Sequence, residues 1–99
     1  MTEHFAIARR QTTHLTLRGE FDLEARDTLR GALLEAVEAG SHLMVDLTAV
    51  TFLDSEALGA LVEGYNEARA RPAGFRVVNA NGLVARVLKV SGALELFGA

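Results

Sequence analysis

VDLTAVTFLDSEALGAL, residues Val45 to Leu61, changes character halfway: an apolar run gives way to a serine between two acids, and helix-like spacing begins. Its first part continues His42–Leu47, HLMVDL, the nearly unbroken apolar run expected of a parallel strand covered on both faces. Its last part opens a helix from about Glu56 to Arg71, closed by Pro72 and Gly74. Leu58, Leu61, Val62, Tyr65 and Ala68 fall on one side of that helix, and Glu56, Glu63 and Glu67 within a narrow arc opposite, so the acidic face is expected to point to water. The segment between, Thr48 to Ser55 (TAVTFLDS), reads as a loop. Ser55 reads as the N-cap, its oxygen accepting an early backbone N–H, which is worth about 1 kcal/mol against alanine.

Working outward, HFAIARR and THLTLRG alternate as two strands joined by a polar turn at Gln11 and Thr12, a hairpin. Asp22 caps a helix from about Leu23 to Ala39 whose Ala25, Leu29, Leu33, Ala36 and Val37 share one face before Gly40 closes it. Downstream, FRVVN is a strand, and Asn81 caps a helix with Leu83, Val84, Val87 and Leu88 facing inward. Gly92 stops that helix, and ALELF is a last helical turn dropping Leu94 and Phe97 onto the body. The order predicts one layered α/β domain over residues 1–99. Its central mixed sheet has about four to five strands, begins with a hairpin and is packed by about four helices.

In such sheets, ligands and partners gather where loops leave the carboxyl ends of the parallel strands. Three loops are expected to meet there: Gly19–Asp22 (GEFD), Thr48–Ser55 and Asn79–Gly82 (NANG). Ser55 is thereby placed on the edge suited to function. Besides capping, it has a second reading, as a phosphate acceptor, because a helix N-terminus offers free N–H groups and the positive end of the dipole. Asp54 and Glu56 oppose this through like-charge repulsion, since a phosphate adds about −1.5 to −2 charge. The dipole contributes only about 0.3 to 1 kcal/mol. The fold should therefore survive modification while the surface shown to a partner changes sharply.

Composition excludes several classes. A net charge of −3 lacks the basic surplus of a nucleic-acid footprint. From Gly31 to Ala68 the charged residues are all acids, which reads as solvated helix faces or as an acidic docking surface. With no cysteine, a disulfide framework and thiolate metal sites are excluded, and a cytoplasmic location is the economical expectation. No apolar run approaches the roughly 18 residues of a membrane span, and no secretory signal pattern is present, so a soluble, unprocessed chain is expected. His4, His14 and His42 lack ligand spacing; His4 and His14 read as exposed strand residues, with facing across the hairpin as the alternative. Ser55 lacks the flanking glycines of a nucleophile elbow, and no phosphate loop or dinucleotide fingerprint appears. No enzyme, cofactor or metal site is expected. Gly59 and Gly64 permit close packing or contact, Gly59 being the candidate for partner approach.

VDLTAVTFLDSEALGAL, with upstream LTLRGEFD and the ending VNANGLVARVLKVSGALELF, resembles the STAS domain, in particular small bacterial anti-sigma-factor antagonists, over essentially the whole chain. The resemblance implies that Ser55 is phosphorylated and that Asp54 and Asp22 help shape the surface around it. The expected partner-binding set is Glu20, Phe21, Asp22, Asp54, Ser55, Glu56, Gly59 and Glu63. It further implies a partner that is both anti-sigma factor and serine kinase. The unphosphorylated protein binds it and frees a sigma factor, phosphorylation weakens the complex, and a phosphatase restores it. No direct contact with nucleic acid or membrane follows, and the free protein is expected to be monomeric. Where the family has serine or threonine and then glycine after the acceptor, this chain has Glu56 and Ala57. The alternative within the family is a non-phosphorylated subunit of a transport ATPase or of a stress-signalling assembly.

Overall fold

The computed structural model describes residues 4–10, 14–40, 42–72 and 74–97. Strands β1 (Phe5–Arg10) and β2 (His14–Phe21) lead through a 3-10 turn (Leu23–Ala25) into helix α1 (Arg26–Glu38). Then come β3 (Leu43–Leu53), α2 (Ser55–Arg69), β4 (Phe75–Val78), α3 (Gly82–Ser91) and α4 (Ala93–Leu96). The strands form one mixed sheet in the order β1-β2-β3-β4, with β1 antiparallel to β2 and the rest parallel. This is the expected single α/β domain, with four strands and four helices among the described residues. The hairpin turn expected at Gln11 and Thr12 lies outside the described residues. Among the described residues, no helix is long and apolar enough to cross a membrane.

One face of the sheet is covered, not two. Along β2, Leu15, Leu17 and Phe21 are buried, whereas Arg18 and Glu20 are exposed. Both crossover helices, α1 and α2, lie together on the covered face. The alternation in β2 is the sequence sign of this half-covered arrangement. Helix α1 buries Leu29, Leu33, Ala36 and Val37, as its spacing predicts. Gly64 of α2 gives it room: a Cβ there would sit 3.2 Å from Leu33 Cβ and 3.4 Å from the Phe75 ring.

Strand β3 corrects the sequence reading most. It runs 11 residues, through the segment that reads as a loop. Its pairing with β2 shifts register between Thr16 and Arg18 and again between Gly19 and Glu20, each shift adding a residue to β3. Two bulges thus let Leu47, Val50 and Leu53 all face the core at a spacing of three, which erases the period of two that marks a strand. The same bulges push Phe52 outward, where it is 41% exposed.

Strand β4 pairs only with Leu43–Asp46 of β3, so the far half of β3 is paired on one side alone and α3 lies beside it. Asn79 and Asn81 therefore sit next to the middle of β3, the Asn79 amide donating to Asp46 Oδ1 (3.2 Å) and the Asn81 amide to the Thr48 carbonyl (3.3 Å). Asn81 occupies the N-cap position of α3, but its side chain makes no capping bond and is spent on the Thr48 and Asn79 carbonyls. Gly92, at φ +83°, ends α3 as predicted. Beyond it Phe97 is buried against Tyr65 and Phe75, ring centroids 5.8 and 6.0 Å apart, which anchors the chain end.

Candidate functional site

The ends of β2 and β3 lie side by side, Phe21 opposite Leu53, and the Asp54 N–H donates to the Phe21 carbonyl at 3.0 Å. Two of the three expected loops meet here, at Asp22 and at Asp54. The third, Asn79–Gly82, is set back because β4 stops seven residues short of the end of β3 in register (Asp46 against Leu53).

Asp54 caps α2, not Ser55. Its backbone is extended and its Oδ1 accepts from the Ala57 N–H at 2.9 Å. Ser55 is the first helical residue and is exposed. The adjacent acid is the better positioned acceptor, and the serine hydroxyl is thereby spared the capping duty assigned to it by sequence. It stands in water, beside the free N–H groups and the positive end of a 15-residue helix.

Two surfaces flank it. On one side runs a groove of about 480 Å³ whose apolar wall is Phe52, Leu58, Leu83, Val87 and Val90, with Arg86 as its cation. Leu83 is 61% and Val90 80% exposed, which corrects the inward placement of Leu83. Only Val84 and Leu88 of α3 are fully buried, Val87 half so. Leu83, Val87 and Val90 form a second stripe at i, i+4, i+7 beside Val84 and Leu88, and that doubled stripe was the available signal.

On the other side lies a smaller groove between α1 and α2, lined by Arg26, Arg30, Ser55, Glu56, Gly59 and Glu63 among others. Arg26 Nη1 meets Glu56 Oε1 at 2.7 Å, and Arg30 pairs with Glu63. The acidic face of α2 points to water as expected and is also partly neutralised by α1, a pairing between distant segments that charge order along the chain conceals. Glu67 remains exposed. A Cβ added to Gly59 meets nothing within 4 Å, so nothing inside the fold requires glycine there.

Among the remaining expected partner residues, Glu20 is exposed and Asp22 half-buried. Phe21 is fully buried and supports the loop from within, so its ring is not available to a partner. Asp22 caps the 3-10 turn through the Glu24 N–H (3.0 Å) and binds His4 Nε2 at 2.8 Å. That hydrogen bond raises the His4 pKa and holds the Asp22 carboxyl below its ordinary range. His4 and His14 do not face each other: the Glu20 N–H donates to the His4 carbonyl at one end of the hairpin, while His14 pairs with Arg10 at the other. His4, Asp22 and Glu24 offer ligand atoms within 4.8 Å of one another, the one group among the described residues that has the donors for a metal ion.

Comparison with known proteins agrees with this geometry. A family model described as Mlab, STAS domain matches residues 5–97. A STAS-domain containing protein of Pseudomonas aeruginosa is 30% identical over 87 residues, covering 88% of this chain and 86% of that protein. An anti-sigma factor antagonist from Mycobacterium paratuberculosis superposes with a TM-score of 0.80 at 25% identity, over 94% of this chain and 80% of that one. The Bacillus cell fate determinant SpoIIAA, solved in its phosphorylated form, shares the fold at a TM-score of 0.69 and 21% identity, over 94% and 86% of the two chains.

Proposed function

The chain belongs to the STAS domain family, and we propose that it is a cytoplasmic anti-sigma-factor antagonist switched by phosphorylation at Ser55. Unmodified, it binds an anti-sigma factor that is also a serine kinase, and a sigma factor is released. The partner transfers a phosphoryl group from its own ATP to the Ser55 oxygen, the complex weakens, and a phosphatase resets the cycle. In this scheme the protein is a substrate and not a catalyst.

The observation that carries the reading is the exposed Ser55 hydroxyl at the first position of α2, with Asp54 taking the cap in its place. Solved proteins of the same fold include anti-sigma factor antagonists, one of them in a phosphorylated form. The apolar groove supplies the contact area, since Phe52, Leu83 and Val90 are exposed around the serine. Burying such side chains against a partner gains roughly 25 cal/mol per Å². A phosphate on Ser55 places about −1.5 to −2 charge at the rim of that groove. Arg26 lines the charged groove with Ser55 and is the cation suited to exchange Glu56 for the phosphate, since guanidinium pairs well with either anion. That pairing holds the phosphate on the fold while adding no attraction for the partner.

The test is incubation with the cognate anti-sigma kinase and ATP, followed by site mapping by mass spectrometry. A phosphate on Ser55, with Ser55→Ala still bound but unmodified, is the expected result. The second reading, a non-phosphorylated subunit of a transport ATPase or stress-signalling assembly, draws on Glu56 standing where antagonists carry serine or threonine. Recovery of transporter components from the native host, with Ser55 unmodified and no anti-sigma kinase present, would establish it instead.

A further inference from the structure

We infer that the opposite end of the sheet carries a binding site for a small organic anion, a carboxylate or phosphate monoester bearing a short hydrocarbon tail. A cavity of about 540 Å³ opens there, lined by His14, His42, Leu43, Met44, Gly74 and Arg76. Its volume falls within the range of small-molecule sites, roughly 300 to 1,000 Å³. It is remote from Ser55: ten residues, Val45 to Asp54, lie between Met44 and Ser55, roughly 30 Å at the rise of a strand. The inference therefore stands apart from the proposed switch.

Strand register builds the site. His14 lies opposite Met44, and Met44 opposite Arg76, so β2, β3 and β4 set an imidazole, a thioether and a guanidinium in one row across the uncovered side of the sheet. Neighbouring strands are about 4.8 Å apart, close enough for the three to share one small ligand. His42 closes the end. Its Nδ1 accepts the Gly74 N–H at 2.9 Å, which leaves the proton of the neutral ring on Nε2, a donor. Glycine is needed for this seat, because a Cβ at position 74 would lie 2.8 Å from His42 Nδ1. The Gly74 carbonyl is already taken by the Leu43 N–H at 2.9 Å.

Arg76 and His42 Nε2 are the donors left over. Arg76 is exposed, and the described ion pairs of arginine involve Arg9, Arg26 and Arg30 instead. His14 Nε2 is buried without a hydrogen-bond partner among the described residues and lies 3.7 Å from Asp46 Oδ2. Asp46, the nearest acid, does not line the cavity. Its Oδ1 accepts the Thr48 hydroxyl at 2.6 Å, the Thr48 N–H at 2.9 Å and the Asn79 amide at 3.2 Å. Those bonds, the hydroxyl's first, hold its pKa below the ordinary carboxylate range. The His42 Nε2 donor and the Arg76 guanidinium, with no carboxylate lining the cavity, select an anion. Met44, in the middle of that row, selects a hydrocarbon tail, which distinguishes the ligand from inorganic phosphate.

Two-dimensional ¹H–¹⁵N NMR titrations of the full chain with hexanoate, hexyl phosphate, inorganic phosphate and hexanol test this. Saturable shifts of the Leu43, Met44, Gly74 and Arg76 amides are expected with hexanoate and hexyl phosphate, at a Kd of about 1 mM or tighter. Hexanol and inorganic phosphate should each bind at least about tenfold more weakly, and Arg76→Gln, an exposed substitution that spares the fold, should cost the tailed anions a similar factor. The Ser55 amide should not move. The inference is overturned if neither tailed anion gives saturable shifts, if hexanol matches hexanoate, if inorganic phosphate matches hexyl phosphate, or if Arg76→Gln binds as wild type does.

Discussion

On one side of Ser55 lies a groove of Phe52, Leu58, Leu83, Val87 and Val90; on the other, Arg26 and Arg30 of α1 meet Glu56 and Glu63 of α2. The first arises because β3 outruns β4, leaving space that α3 only partly fills. The second arises because α1 and α2 pack side by side on one face of the sheet, with their charges at the rim. Exposed apolar surface gives affinity to whatever covers it, whereas paired surface charges contribute little to stability and respond readily to a new charge. In the proposed function, adhesion and response thus fall on different sides of one residue.

Breaking the apolar side should have the largest effect. Leu83→Glu or Val90→Glu places a charge in the groove at a solvent-exposed position, so the melting temperature should hold. Affinity for the anti-sigma partner, read by calorimetry, should fall about 30-fold or more. Next comes the residue between the two sides: Ser55→Asp adds a charge smaller than a phosphate and should weaken the complex about tenfold, while Ser55→Ala binds as wild type does.

Gly59→Ala sharpens the comparison further. A methyl there meets nothing in the fold and removes a helix-interior glycine, so stability should rise by up to about 1 kcal/mol in urea denaturation. A simultaneous loss of affinity marks α2 as a surface of close partner approach, and unchanged affinity confines the partner to the α3 side. On the charged side, Arg26→Ala should barely change the melting temperature, since the pair is exposed. Its mark should appear after modification, as a rise in the phosphoserine pKa by ³¹P NMR relative to wild type.

The smallest effect concerns the tie between His4 and Asp22. His4 titrates above its ordinary 6.5 because of its bond to Asp22, so its contribution is complete below that value and fades as pH rises through the raised one. Asp22 titrates below its ordinary 3.8, so its contribution is present above that value and fades as pH falls through the lowered one. The tie is therefore strongest in the mildly acidic range between them. His4→Asn should flatten the alkaline side of the stability profile measured by thermal melts across pH.

Element order, the covered face of α1, the Gly92 stop and the anchoring Phe97 were legible because each rests on a local pattern: a period, a cap residue or a glycine. The far half of β3 was not, because two bulges replace the alternation on which strand recognition depends. The sequence puts Ser55 at the carboxyl edge of the sheet, where the structure has it, but gives it the wrong local duty. Asp54 and Ser55 are both good caps by type, and only the backbone decides which of two neighbours occupies the extended position. The arginine partners of Glu56 and Glu63 lie about thirty residues upstream, a distance that only the packing of α1 on α2 closes. Leu83 was assigned to the core because a short helix with two apolar stripes does not declare which one faces in.

The most direct measurement is the affinity of the anti-sigma partner for this protein prepared in two forms, unmodified and phosphorylated at Ser55 alone, with both confirmed as folded by their circular dichroism spectra. Tight binding of the unmodified form and at least about tenfold weaker binding of the phosphorylated one is the predicted result. Equal affinity of two folded forms would contradict the claim that the charge on this hydroxyl governs the contact.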